Sequence, residues 1–400
     1  MPTNQLHIGY DAKRLFFNKS GLGNYSRTLV DTILSQELEQ ENFRVTLFSP
    51  QSPSIKFFNR YSNVGNAITG NSVSVIKPHT INPFWRVVGM GKAANRLDVH
   101  VFHGLSNELP VDLHSNIKSV VTIHDVLFRQ FPKQYSWMDR QIYHLKTKFA
   151  LRKAHKIIAT SWATAEAIQQ YYPGIKNNIE VVYQSIQSEF SDKIPTSASE
   201  YNKNPISDSV YLKSDVRLIL NDRPYIIYHS TFNQRKNHLR LLQAFQLIMN
   251  EVEFNLVLIG FVGNTWNKVK QFCNENDLNS RVVLLNDVST ETLVQWMQGS
   301  SGFIYPSLNE GFGIPLAEAS ALRLPFLVSD VPVFKELLNG NEDYLFDPRD
   351  IQSISLALHR LNEVVLNESL LGNWTALHDA VIQKTHPRNV AAQLMNIYQS

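Results

Sequence analysis

The 400-residue chain has only one cysteine, Cys273, so it cannot form an internal disulfide. The residues around it, Lys270 to Asn276, include no histidine or second cysteine, which argues against a metal knuckle and for a reducing compartment. Charge is scarce as well. Only 18% of the residues are charged and the formal net charge is +3, with a pI near 8.7. That is too mild a bias for a nucleic-acid binder, though it leaves room for a local basic patch. Long apolar runs are missing. The greasiest pieces, such as Phe254 to Gly260, fall far short of the roughly 18 residues of a membrane helix. The amino terminus, MPTNQLHIGYDAKRLFF, has no basic stretch followed by an apolar run and a small-residue cleavage site. It reads as a strand, and the expected location is the cytoplasm, with any membrane contact peripheral to the inner face. Finally, no two aspartates stand two apart, so a D-x-D pair that could hold a divalent metal is missing.

Hydrophobic residues, by contrast, make up 43% of a chain too long for one ordinary core, so two domains are expected, with a cleft between them as the first place to look for a ligand. Short apolar runs recur at Leu6 to Tyr10, Arg44 to Phe48, Val99 to Phe102, Ser119 to Ile123, Lys156 to Thr160 and Glu180 to Tyr183. A second series follows at Tyr225 to Tyr228, Phe254 to Ile259, Arg281 to Leu285, Gly302 to Tyr305, Pro325 to Ser329 and Tyr344 to Phe346. Strands alternating with helical stretches predict two α/β halves with parallel sheets. Between them, Ser188 to Asp222 is rich in Ser, Asn, Asp and Lys and carries Pro195 and Pro205, which marks a hinge or surface insertion. The expected division is 1–200, 201–385 and a terminal helix over 386–400 that packs back on the amino-terminal domain.

The sharpest chemistry lies in Tyr305-Pro-Ser-Leu-Asn-Glu310-Gly-Phe-Gly-Ile-Pro-Leu-Ala-Glu318-Ala. It follows a strand, passes through two glycines and becomes helical, with Pro315 in the first turn, where its missing N–H costs nothing. The amides of Phe312, Gly313 and Ile314 then belong to a helix amino terminus, a site for an anion or for sugar hydroxyls. Glu310 precedes that helix and Glu318 lies about one turn inside it, so the two carboxylates can serve opposite parts of one extended ligand. Taken alone, Glu318 reads equally well as an exposed helix charge.

The block EGFGIPLAE resembles the E-x7-E motif of the retaining GT-B glycosyltransferases of family 4, and the similarity runs over nearly the whole chain, through Pro325, Asp330, Glu336 and Asp347-Pro348. The resemblance implies two Rossmann-like domains with parallel sheets facing across a cleft. It also implies that Glu310 sits beside the transferred sugar and that Glu318 holds the ribose of the nucleotide. His229-Ser-Thr-Phe-Asn-Gln-Arg235-Lys236-Asn237, between the strand at 225–228 and a helix His238 to Met249, resembles the family's phosphate loop. Two adjacent cations at a helix start are unfavourable to the helix dipole, so their presence argues for a diphosphate ligand, with Asn237 as the expected cap. Ser230 stands where many members carry arginine, and Arg323 where glycine is usual. The base is expected against Val282 to Leu285 and Asn286 to Val288.

In the amino-terminal half, Asn18-Lys-Ser-Gly21-Leu-Gly23-Asn-Tyr-Ser precedes a helix through Leu34. Ser26 replaces the third glycine of a dinucleotide fingerprint, which weakens an oxidoreductase reading. The family's matching loop closes on the donor diphosphate, a role this gives to Gly21 and Gly23. Phe102-His103-Gly104 and Thr122-Ile-His124-Asp125 set polar residues at strand ends, where open α/β sheets place ligands. A histidine matching His124 lies beside the donor sugar in the family. From 138 to 156, basic residues interleave with apolar ones, which reads as a basic amphipathic helix that either meets anionic lipid or packs its apolar face on the sheet.

The expected activity is therefore transfer of a hexose, mannose from GDP-mannose as first choice, to a glycan or lipid-linked acceptor in surface polysaccharide biosynthesis. No cofactor, metal or nucleic acid is expected. Retention is expected by a front-face route in which the diphosphate takes the acceptor proton, with covalent participation of Glu310 or Asp125 left open. An epimerase that turns over donor without acceptor, and a binding-only relative, are the alternatives.

Overall fold

The computed structural model describes all residues except 1–4, 19–20, 35–42, 56–60, 62–71, 79–81, 83, 176–177, 196–219 and 221–222. Most of the insertion expected at Ser188 to Asp222, Pro205 included, and part of the loop before Gly21 lie outside the described residues. The chain forms two compact units, residues 1–185 with 387–400, and residues 186–386.

The first unit is built on β1 (Leu6–Asp11), β2 (Phe43–Phe48), β3 (Ser72–Ile76), β4 (Val101–Gly104), β5 (Lys118–Ile123), β6 (Lys156–Ala159) and β7 (Ile179–Val181). They pair in the order β3-β2-β1-β4-β5-β6-β7, and every pairing is parallel. A parallel sheet needs both faces covered, which is why its central strands read as nearly continuous apolar runs. On one face, Ile8, Tyr10 and Val45 meet α1 (Gly21–Leu34) through Tyr25, Leu29 and Ile33, and meet the carboxy-terminal helix (Pro387–Gln399) through Leu394, Met395 and Tyr398. On the other, Phe48, Phe102 and Val121 pack on Ala150 and Leu151 of α2 (Trp137–Lys153) and on Ala165 and Ile168 of α3 (Trp162–Tyr171). Ser136 and Ser161 cap α2 and α3 by accepting from Asp139 N and Thr164 N.

The second unit carries β8 (Tyr225–His229), β9 (Asn255–Gly260), β10 (Val282–Asn286), β11 (Gly302–Tyr305), β12 (Phe326–Ser329) and β13 (Leu345–Phe346), in the order β10-β9-β8-β11-β12-β13. All pairings are again parallel. Its helices include α4 (His238–Ile248), α5 (Ile314–Ala321) and α6 (Ile351–Leu366). In both units the strand order reverses beside the first strand, between β1 and β4 and between β8 and β11. Loops leaving the carboxyl ends of such a pair diverge to opposite faces and leave a crevice for a ligand.

Two expectations need correction. The helix expected over 138–156 ends at Lys153, and Lys156 opens β6. Nor is it sharply amphipathic: of its residues only Thr147, Ala150 and Leu151 are buried, while Trp137, Met138 and Leu145 are each more than 60% exposed. Basic and apolar residues follow each other around the helix without separating into sectors, so interleaving in sequence does not become two faces. Strand β3 was not foreseen, although its Ser-Val-Ser-Val-Ile alternation is a strand signal.

Candidate active site

In the second unit, His229 ends β8 and the basic loop follows it, while Tyr305 ends β11 and the Glu310 loop follows that. Since β8 and β11 are neighbours at the reversal, the two loops meet. Backbone and side chain stitch them together. Leu308 N donates to the Arg235 carbonyl at 2.9 Å, Arg235 Nη1 to the Asn309 carbonyl at 2.5 Å, and Asn237 Nδ2 to the carbonyls of Pro306 and Pro348 at 3.0 and 2.7 Å. Asn237 does stand at the amino terminus of α4, but its backbone is left-handed, with φ of 63°, and its side chain does not cap the helix. Its Oδ1 accepts from Arg240 Nη1 at 3.0 Å, while its Nδ2 donates to the two proline carbonyls and fixes the basic loop against its neighbours.

This stitching delivers both cations to Glu310. Arg235 Nη1 lies 2.7 Å from its Oε2, Lys236 Nζ lies 2.5 Å from its Oε1, and the Glu310 side chain is 7% exposed. Burial alone would raise the Glu310 pKa, but Arg235 and Lys236 outweigh it and hold the carboxyl at about 2. Burial lowers Lys236 to about 8 against the pull of Glu310, with Arg235 adding to the lowering. The triad is thus two cations to one carboxylate in a dry setting, where an added anion gains more than it would in water. Lys236 also lies 5.4 Å from the centre of the Tyr305 ring.

Gly313 has φ of 96°, and a Cβ there would lie 2.3 Å from Phe334 Cε1, so two independent constraints demand glycine before α5. The Phe312 side chain is buried, and Ile314 opens the helix. Glu318 is buried within α5 rather than exposed on it, 4% accessible, with Oε2 3.0 Å from His229 Nε2. His229, read from sequence only as the start of the basic loop, therefore belongs to the site. Two further glycines were also missed: a Cβ on Gly260 or Gly263 would collide with the carbonyl of Ser230 or Phe232 at 1.7 and 2.2 Å, so both let the basic loop lie against its neighbour. Ser230 itself bonds His238 Nε2 at 3.1 Å, and Arg235 is the arginine that reaches the carboxylate. Asn286 ends the edge strand β10, and Asp287 after it takes φ of 53°. Arg323, at a position usually glycine, has φ of 57° and pairs with Asp379 at 2.7 Å.

The remaining sequence candidates lie in the first unit. His103 is fully buried with both ring nitrogens engaged, Nδ1 to Tyr398 Oη at 2.7 Å and Nε2 to Thr122 Oγ1 at 2.8 Å, so it braces the carboxy-terminal helix and faces no ligand. Tyr25 Oη bonds the same Thr122 oxygen at 2.9 Å, and its ring meets His124 edge-on at 4.4 Å. His124 Nε2 lies 2.8 Å from the Leu105 carbonyl, which makes that nitrogen the donor and leaves Nδ1 as an acceptor, 3.5 Å from Gln184. Burial lowers its pKa to about 4. Asp125 Oδ1 accepts from Leu127 N at 3.2 Å. Among the described residues, nothing lies near the Cβ position of Gly21, which opens α1, whereas a Cβ on Gly23 would lie 1.8 Å from the Asn18 carbonyl. The close approach at Gly23 is thus made by the chain's own backbone. Among the described residues, no three His, Cys, Asp or Glu side chains gather as a metal site, and no helix is long and apolar enough to cross a membrane.

Comparison with known proteins bears on family and fold. Residues 213–370 match the family model of the glycosyl transferases group 1, and residues 32–190 match that of Glycosyltransferase Family 4. The chain belongs to the family 4 glycosyltransferases of the GT-B fold. It is 27% identical to the O-antigen chain mannosyltransferase B of Escherichia coli over 84% of this chain and 85% of that protein. It is 23% identical to the O-antigen chain mannosyltransferase RfbU of Salmonella typhimurium over 65% of each, just under two thirds of that relative's length. Anabaena HepE, solved with UDP and glucose, superposes with a TM-score of 0.69 at 14% identity, over 99% of this chain and all of the other, which speaks to the fold alone.

Proposed function

We propose that this family 4 enzyme transfers a hexose from a nucleoside diphosphate sugar to a glycan or lipid-linked acceptor in polysaccharide assembly, with retention of configuration and without a metal. The carrying observation is the buried Arg235–Lys236–Glu310 triad at the reversal of the second sheet. Its surplus of positive charge suits a diphosphate leaving group, which gains charge as the sugar departs. Glu310 orients the cations and borders the transferred sugar, and Glu318, braced by His229, takes the ribose hydroxyls. The amides of Phe312, Gly313 and Ile314 are assigned to the donor, as are Gly21 and Gly23. His124, neutral and with Nδ1 as its ring acceptor, takes a hydrogen bond from a hydroxyl and supplies no proton. The departing diphosphate then receives the acceptor proton, with Asp125 and Glu310 the carboxylates for a covalent route. The two O-antigen mannosyltransferase relatives support mannose as the transferred sugar, with GDP as the first nucleotide to test.

The test is turnover with GDP-mannose and other nucleotide sugars in excess EDTA, after a thermal-shift panel of nucleoside diphosphates has identified the base. The reading predicts stabilisation by one diphosphate and full activity under chelation. Activity that disappears in EDTA and returns with Mg²⁺ or Mn²⁺ removes the metal-free mechanism.

Exposed Trp137, Met138 and Leu145, interspersed with Arg140, Lys148 and Arg152 on α2, support a peripheral contact with anionic lipid. Flotation with phosphatidylglycerol vesicles should bring the wild type up and leave a Trp137→Ser/Met138→Ser variant behind. Equal flotation of both removes the contact.

A further inference from the structure

The reversal of the first sheet holds a cavity of about 210 Å³ lined by Asp11, Arg86, Val87, Glu108, Leu109, Val111, Leu145, Lys146 and Phe149. Asp11 is the last residue of β1, and Glu108 lies in the loop after β4. That loop folds back over the strand so closely that a Cβ on Gly104 would lie 2.0 Å from the Glu108 carbonyl, which accounts for glycine after His103. Arg86, from a turn distant in sequence, bridges the two carboxylates: its Nε lies 2.7 Å from Asp11 Oδ2, and its Nη1 bonds Glu108 Oε2. Lys146 Nζ reaches Glu108 Oε1 at 3.3 Å. The rest of the lining is apolar, with Val87, Leu109, Val111, Leu145 and Phe149.

Three properties select the ligand. The volume lies below the roughly 300–1,000 Å³ of pockets for drug-sized molecules, so a nucleotide is too large and one ring fits. The lining is two carboxylates against two cations, already paired with each other, so an anion meets no surplus charge. Lys13 lies near the same charges but does not line the cavity. The lining is of two kinds, carboxylate acceptors with ion-paired donors and aliphatic or aromatic carbon. A pyranose has that division, with hydroxyls around its edge and a C–H face that packs on apolar rings.

We propose that this cavity is a subsite for one uncharged hexopyranose unit of the acceptor glycan, with Asp11 and Glu108 accepting from its hydroxyls, Arg86 fixing the two carboxylates, and Phe149 and Leu145 packing on its C–H face. The assignment to the acceptor rests on the transferase reading above; the sugar chemistry of the cavity does not. The test is saturation-transfer NMR on the whole chain with methyl α-mannopyranoside, methyl α-glucopyranoside and mannose 1-phosphate, with and without saturating GDP or UDP. Leu145 and Phe149 stand at the rim, 64% and 36% exposed, so truncating them spares the core. A neutral glycoside should bind, resist displacement by the nucleotide, and lose about tenfold in affinity in Phe149→Ala and in Glu108→Gln. Nucleotide stabilisation should be unchanged in both variants. The proposal is overturned if neither methyl glycoside binds, if the nucleotide displaces it, if both variants bind it as the wild type does, or if mannose 1-phosphate is the preferred occupant. Failure of every nucleoside diphosphate to bind would instead count against the transferase reading and leave the glycoside result standing.

Discussion

The two sheets reverse strand order at matching places, β1 beside β4 and β8 beside β11, yet the side chains gathered at the two reversals differ in kind. In the second unit two cations converge on one carboxylate, deep enough that Glu310 is 7% exposed. In the first, two cations and two carboxylates pair off beside apolar side chains. The same unit holds a neutral buried brace: His103, Tyr25, Thr122 and Tyr398 are joined by hydrogen bonds, and His124 meets the Tyr25 ring edge-on. A common topology thus supplies two crevices, and charge balance decides what each can hold. Surplus positive charge calls for a phosphate, and balanced charge with apolar carbon calls for a neutral sugar.

The largest expected effect comes from unbalancing the charged reversal. Lys236→Ala should lower turnover with nucleotide sugar by about 10²–10³, the usual cost of losing a charged transition-state donor. Unchanged kinetics would mean that the triad is only structural. Next in size, Glu310→Gln and Glu318→Gln should separate two roles at one reversal. Glu318→Gln should weaken nucleotide and nucleotide sugar about equally, by about 1–3 kcal/mol, whereas Glu310→Gln should lower kcat far more than nucleotide affinity. The reverse pattern in calorimetry and steady-state rates would mean that the donor is threaded the other way.

Acid should act on the neutral brace before the charged triad. Burial holds His103 at about 3 and His124 at about 4 in the first unit, and His238 and His378 at about 3 in the second. Because these folded values lie below the unfolded value near 6.5, the unfolded chain binds more protons, and stability falls as pH drops from 6.5 toward 4. Each such histidine contributes up to about 1.4 kcal/mol per pH unit in that window. Glu310 acts with the same sign in a lower window: its contribution is complete above about 4.5 and is lost only as pH falls toward 2. Melting temperatures from pH 7 to pH 4.5 should decline steadily, and a flat profile contradicts the neutral brace. The smallest effect is expected at Arg323→Gly. Relief of the left-handed backbone offsets loss of the Asp379 pair, which is half-exposed on the aspartate side, so the melting temperature should hardly move.

The charged reversal was legible in the sequence because its parts are punctuated locally: glycines, Pro315 and spaced glutamates after one strand, two adjacent cations after another. The neutral-sugar cavity was not. Arg86 sits in a turn with no periodic pattern, and its partners Asp11 and Glu108 are 75 and 22 residues away, brought together only by strand order. His229 and Glu318 likewise meet across the sheet reversal, so neither announces the other. The reading of α2 failed for a related reason. Interleaved basic and apolar residues suggest two faces in the sequence, but on a helix that spacing places both kinds around the whole circumference.

The most direct test of the account is a calorimetric titration comparing a nucleoside diphosphate with its nucleoside, on the wild type and on Lys236→Ala, at low and high salt. If surplus charge at the second reversal holds the diphosphate, the wild type should bind the diphosphate far more tightly than the nucleoside. That advantage should shrink as salt rises and largely vanish in Lys236→Ala. Equal affinity for diphosphate and nucleoside, or an advantage that survives Lys236→Ala intact, would contradict it.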